Sequence, residues 1–182
     1  MEQASRQSGS GRGASRRRSP RRPQPVRQLA VLLVDDDADW RMLVRDALAQ
    51  CDLGRNVRLE VHEVTDGEAA MQFLQQGKRA GSLLPSLIYL DCEMPRMDGL
   101  RLLELLRQDE RLRHIPAVML SGLADEAHMR RACDSGASAY IVKPVEASEL
   151  TRVVTASARH WLGPNAANSA RWSKSGRMDR AA

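Results

Sequence analysis

Four short apolar runs in this chain end on a residue that can do chemistry. "LAVLLV" is followed by Asp35, Asp36 and Asp37; "LIYL" by Asp91, with Glu93 two residues on; "AVML" by Ser121; and "AYIV" by Lys143. Three carboxylates crowded together repel one another unless a cation sits among them. Hard oxygen ligands suit Mg2+, which keeps several waters and takes only a few protein oxygens. A hydroxyl and an ammonium facing them would bind an anion. Carboxylates, a divalent cation, a hydroxyl and an ammonium together describe a place for a phosphoryl group, whose transfer needs mainly positioning and charge stabilisation. A carboxylate can itself be the acceptor and form an acyl phosphate. In this reading Asp91 ends its strand with an oxygen turned toward metal and phosphorus, and Pro95 and Gly99 turn the chain back over the site. Taken singly, each residue has a plainer account: Asp91 starts a turn, Asp37 caps a helix, Ser121 closes a strand and Lys143 lies on the surface.

The four strand ends meet only if the runs are parallel strands of one sheet. The first strand, Leu29–Val34, is short and continuously apolar, as a strand buried on both faces must be. "DADWRMLVRDALAQC" follows with Leu43, Ala47 and Leu48 at helical spacing and Asp37 as candidate N-cap. Val57–Val64 alternates apolar and polar residues, which predicts an exposed or edge strand. "TDGEAAMQFLQQGK" carries Ala70, Phe73 and Leu74 on one helical face, and "RAGSLLP" reads as a loop. "SLIYLD" is the third strand, and "DGLRLLELLRQDE" a helix with Leu102, Leu103 and Leu106 inward. "IPAVMLSG" is the fourth strand. The helix "DEAHMRRACDSG" stops at Gly136, which can take the left-handed conformation that ends helices. "SAYIVKP" is the fifth strand, and "EASELTRVVTASARHWL" the last helix, ended by Gly163-Pro164. Five strands alternating with five helices predict an α/β fold, a doubly wound parallel sheet. Ligands of such sheets bind beyond the carboxyl ends of the strands, where all four chemical groups fall.

The 182 residues suit one domain with tails. Residues 1–28 hold eight arginines and one glutamate, and residues 163–182 are also basic, so the +5 of the whole chain covers a middle that carries −5. The tails have almost nothing to bury and predict disorder. Their arginines could touch phosphate backbones, but no interleaved aromatics offer base stacking, which argues against specific nucleic-acid binding. No apolar run approaches the roughly 20 residues that span a bilayer, and the N-terminus lacks the apolar core of a secretory signal. Cys51, Cys92 and Cys133 form no metal or disulfide spacing. Free thiols in a cytoplasmic protein are the expectation.

"LLVDDD" (32–37), "LIYLDCEMPRMDGL" (87–100), "VMLSG" (118–122) and "GASAYIVKPV" (136–145), in this order and spacing, resemble the receiver domains of two-component response regulators. The resemblance covers residues 29–162 and implies a flavodoxin-like, five-stranded parallel sheet with five helices. It implies that Asp91 is the phosphoacceptor and that Asp36 and Asp91 ligate Mg2+ by side chains. Asp35 would act through water, and Glu93 would offer its backbone carbonyl. Ser121 would hydrogen-bond the phosphoryl group and Lys143 would pair with one of its oxygens. Pro144 would follow a cis bond, and Tyr140 would be an aromatic switch that turns inward when Ser121 moves. Ser121 stands where Thr is commoner in the family, and Gly122 where Ala is frequent. Glu93 and Leu123 occupy positions that tune dephosphorylation.

The resemblance implies a signalling protein rather than a metabolic enzyme, catalysing only its own phosphorylation and dephosphorylation. Its phosphoryl group would come from a histidine kinase or phosphotransfer protein. A downstream protein would read the face of the fourth helix, fifth strand and fifth helix, and homodimerisation stays open. The last 20 residues are too few for an output domain, so a stand-alone receiver is expected, one resembling those of chemotaxis and, more faintly, those paired with phytochrome-type kinases. Three other readings compete: a phosphorylation-independent scaffold, a nucleic-acid binder using the tails, and a haloacid-dehalogenase-type phosphatase. The last wants D-x-D-x-T/V at the acceptor, from which "DCEMP" departs.

Overall fold

The computed structural model describes residues 25–80, 83–122 and 124–164. Leu123 and nearly all of both basic segments lie outside the described residues. Chain order is β1 (Arg27–Val34), α1 (Ala38–Ala49), β2 (Val57–Val64), α2 (Gly67–Ala80), β3 (Leu87–Asp91), α3 (Gly99–Gln108), β4 (Ala117–Ser121), α4 (Glu126–Asp134), β5 (Ala139–Val142) and α5 (Ala147–Leu162). The strands form one parallel sheet in the order β2-β1-β3-β4-β5. This is the α/β fold expected from the alternation, in the flavodoxin-like form that the resemblance implied.

Successive side chains of a strand point to opposite faces, and both faces of the central strands are covered. Leu32, Val34, Ile88, Leu90 and Met119 pack with Ala70, Leu74, Leu102, Leu103, Leu106 and Ala132 on the α2–α3–α4 side. Val31, Leu33, Leu87, Tyr89, Val118 and Leu120 pack with Val44, Ala47, Leu48, Leu150, Val154 and Ala158 on the α1–α5 side. Burying one such aliphatic side chain is worth about 1.5–3 kcal/mol. β2 is an edge strand, as its alternation predicted, with an intermediate-to-exposed pattern.

Element ends follow local chemistry. Asp37, Asp98 and Asp125 cap α1, α3 and α4 with side-chain oxygens that accept backbone N–H groups of the first turn. Gly136, just past α4, takes φ +92°, the left-handed conformation expected of it. β1 starts two residues earlier than the apolar run suggests, because the Arg27 N–H donates to the Asn56 carbonyl at 2.7 Å. α2 runs through Arg79 and Ala80, which the sequence reading placed in a loop. On α1 the inward residues are Val44, Ala47 and Leu48, with Leu43 only partly buried.

The strand order reverses between β1 and β3. The chain leaves β1 toward β2 on one side and returns as β3 on the other, which opens a crevice at the carboxyl ends of both. Asp35 and Asp91 stand at its two lips.

Candidate functional site

Parallel register brings the strand-end groups together. Val34 pairs with Leu90, Asp91 with Leu120, and Ser121 with Val142. Asp35 and Ser121 are fully buried and Asp91 is 5% exposed, whereas Asp36 is open to solvent. Carboxylate oxygens of Asp35, Asp36 and Asp91 lie within 4.8 Å of one another. Lys143, just past the end of β5, sends Nζ to Asp35 Oδ2 at 2.7 Å and to Asp91 Oδ1 at 2.9 Å. Asp35 Oδ1 accepts the Asp37 backbone N–H at 2.9 Å, and the Asp35 carbonyl accepts from the Arg41 guanidinium at 2.7 Å.

The charges explain the titration. Burial pushes the Asp91 carboxyl up to about 6. The Lys143 ammonium pulls against that rise, and the Asp35 and Asp36 charges add to it. For Lys143 burial acts downward, yet its bonds and charge contacts with Asp35 and Asp91 outweigh burial and leave it above the ordinary lysine value. Three carboxylates against one ammonium leave two negative charges uncompensated in a mostly buried place. That deficit, with an all-oxygen donor set, fits a divalent cation.

Beyond Asp91 the chain folds back. The Gly99 N–H donates to the Cys92 carbonyl at 3.1 Å, closing the loop between β3 and α3. A Cβ on Gly99 would lie 2.0 Å from the Asp91 carbonyl oxygen, so only glycine lets the backbone approach this closely. Arg96 takes the left-handed conformation at φ 67°, and its guanidinium pairs with the buried Asp66 carboxylate. Asp66 also accepts the Ala69 N–H at 2.9 Å. That bond, and then Arg96, hold its carboxyl below the usual range. Met97 side-chain atoms cover Gly67. The loop is thereby tied to the start of α2.

Cys92, Ser121 and Tyr140 meet on the α3–α4 side. The Cys92 thiol and the Ser121 and Tyr140 hydroxyls share hydrogen bonds, and burial raises both the thiol and the phenol. A Cβ on Gly122 would meet nothing within 4 Å, so there is room beside Ser121. Glu93 is exposed, outside the carboxylate cluster, and lines a cleft of about 350 Å3 with Asp36, Cys92, Met94, Pro95, Asp98, Leu100, His128 and Arg131.

The structure thus brings together Asp35, Asp36, Asp91 and Lys143, with Ser121 and Tyr140 in contact next to them. One expectation is corrected: no cis peptide occurs among the described residues, so the Lys143–Pro144 bond is trans, the form favoured for X–Pro by about 0.5–1 kcal/mol. Asp66 and Arg96 were not legible in the sequence. Asp66 before Gly67 carries only the signal of a helix cap, and nothing local in the sequence pairs it with Arg96.

The fold and this cluster define a class. The chain matches the family described as the response regulator receiver domain over residues 31–155. It belongs to that family, the phosphorylatable receivers of two-component signalling. It is 33% identical over 124 residues to chemotaxis protein CheY-3 of Vibrio cholerae serotype O1, covering 68% of this chain and 87% of that one. Among solved structures it is similar to the phosphorylated cyanobacterial phytochrome response regulator RcpA, with TM-score 0.67, 33% identity and coverage of 75% and 95%. It is similar also to the Mn(2+)-bound form of response regulator Rcp1, with TM-score 0.66, 30% identity and coverage of 75% and 96%. None of the helices among the described residues is long and apolar enough to cross a membrane.

Proposed function

We propose that Asp91 accepts a phosphoryl group from the phosphohistidine of a histidine kinase or phosphotransfer protein, and that the chain signals by protein–protein contact. The observation that carries this reading is the Lys143 ammonium bonded to both Asp35 and Asp91 inside a cluster that is two charges short of neutral. A carboxylate oxygen of Asp91 forms an O–P bond as the P–N bond of the donor breaks, and the electron pair stays with the imidazole nitrogen. Asp35, Asp36 and Asp91, with the Glu93 carbonyl, would hold Mg2+, which supplies positive charge to the carboxylates and to the incoming oxygens. Lys143 transfers one hydrogen bond from a carboxylate to a phosphoryl oxygen, and Ser121 donates its hydroxyl to another.

A phosphoryl group adds close to two negative charges at neutral pH. A charge-assisted bond from Ser121 is worth about 1.5–3 kcal/mol, enough to shift a two-state equilibrium roughly 10- to 150-fold. Ser121 already touches Tyr140, so drawing the serine toward phosphorus alters what holds the tyrosine. The face of α4, β5 and α5 would change with it, and a partner would read that change. RcpA is described as phosphorylated and Rcp1 as Mn(2+)-bound, and both likenesses support this reading. The test is incubation with acetyl phosphate and Mg2+, followed by intact mass. A gain of one phosphoryl group in the parent chain and none in Asp91→Asn is expected; equal labelling of both would overturn the assignment of Asp91.

A further inference from the structure

The Lys143 ammonium has a third neighbour besides the two carboxylates. Trp40, in the first turn of α1, lies with its indole ring 5.2 Å from Nζ, measured to the ring centroid. An ammonium within about 6 Å of an indole face is attracted by the ring quadrupole, more strongly where water is excluded. Here the Lys143 side chain is only 10% exposed. The Trp40 backbone is held by the helix cap, its N–H donating to Asp37 Oδ1 at 3.3 Å. The next residue, Arg41, donates to the Asp35 carbonyl. One helical turn therefore both supports the acidic strand end and brings the ring to the lysine.

The chemistry of the neighbour matters. A fourth carboxylate at this place would also hold the ammonium, but it would add negative charge against an incoming phosphoryl group. An aromatic ring holds a cation without adding charge. Its attraction is spread over a face, so Nζ can shift between carboxylate and phosphoryl oxygens without losing it. A lysine stem has many rotamers, and an attractive ring beside the ammonium favours those that keep it there.

We propose that Trp40 is a positioning residue for phosphotransfer. Its ring confines the Lys143 ammonium to the Asp35–Asp91 side of the site and carries it to the phosphoryl oxygen. This rests on the reading of Asp91 as acceptor.

The test uses the full chain with Trp40→Met, which fills space without a ring, and Trp40→Phe, which keeps one. Phosphorylation by acetyl phosphate with Mg2+ is followed by intact mass over a range of donor concentration. In parallel, the lysine ε-methylene signals are recorded in protein carrying 13C-lysine. The chain has three lysines, so Lys143→Arg assigns the signal. The parent should show the Lys143 signal moved upfield by the indole ring current, and Trp40→Met should return it to the ordinary position. The maximal phosphorylation rate of Trp40→Met should fall about three- to tenfold with little change in half-saturating donor, and Trp40→Phe should recover most of it. A parental rate in Trp40→Met, or the same lysine signal with and without the ring, would overturn the proposal. A parent that shows the ring-current shift but takes up no phosphoryl group would overturn the reading of Asp91, and with it any part for Trp40 in the reaction.

Discussion

Asp91 stands at a point where several forces nearly balance. Burial disfavours its charge and Lys143 favours it, and Asp35 and Asp36 tip the result upward to about 6. In an unfolded chain the same carboxyl titrates near 3.8. Between those two values the folded state holds a proton that the unfolded state has lost. The contribution of this group to stability therefore falls as pH rises from about 4 to 6, and stays low above that. Without metal, Asp91→Asn should raise the unfolding midpoint at pH 7 and flatten this part of the pH profile. At 1.36 kcal/mol per unit the gap sets a ceiling of about 3 kcal/mol. Denaturant melts in a chelator at pH 4, 5, 6 and 7 measure it, and a variant no more stable than the parent at pH 7 would show that Lys143 already compensates the charge fully. At this scale the sequence was informative for residue types and silent about partners. Asp35, Asp91 and Lys143 could be named from strand ends alone, whereas Trp40 looks like any packing aromatic until a residue more than a hundred positions later arrives beside it.

The loop between β3 and α3 is the element on which the site depends most. Its path rests on Gly99, whose position beside the Asp91 carbonyl has no room for a side chain, and on the Arg96–Asp66 pair that fastens it to the start of α2. Gly99→Ala should destabilise the fold by about 1–3 kcal/mol, the range for forced overpacking. It should also slow phosphorylation, because relieving the clash moves the Asp91 backbone. Thermal melts together with acetyl phosphate labelling separate the two effects, and a stable variant labelled at the parental rate would contradict the argument. Helices and strands were legible because each has a period and some have a stop: the Asp37 cap before α1 and Gly136 after α4. The start of β1 was misjudged because a tertiary contact settles it. β1 gains Arg27 and Gln28 by pairing with the start of β2.

For the molecule as a whole, two uncompensated negative charges in a mostly buried cluster are a cost that a divalent cation removes. A ligand that binds only the folded state stabilises it by mass action, about 1.4 kcal/mol at ten times its dissociation constant. For a domain of this size that corresponds to a rise of about 5 °C in Tm. Scanning calorimetry with Mg2+ or Mn2+ should show such a rise at pH 7.5 and a smaller one below pH 6, where protons compete at Asp91. Asp36→Asn should weaken it. A Tm indifferent to both ions would remove the cation from the site.

Taken alone, the sequence determined the α/β class, the four polar strand ends and the family likeness, because hydrophobic period and strand-end chemistry are local properties of a chain. Its hydrophobic period could not determine which strands lie side by side, and only the family likeness implied the flavodoxin-like arrangement. Runs buried on both faces look alike, so the order β2-β1-β3-β4-β5 appears only when the helices cover the sheet. That order places β1 beside β3, sets Lys143 between Asp35 and Asp91, folds the Trp40 ring over the ammonium and fastens Arg96 to Asp66. Each of these contacts joins residues far apart in the chain, and only the packed sheet brings them within a few ångströms.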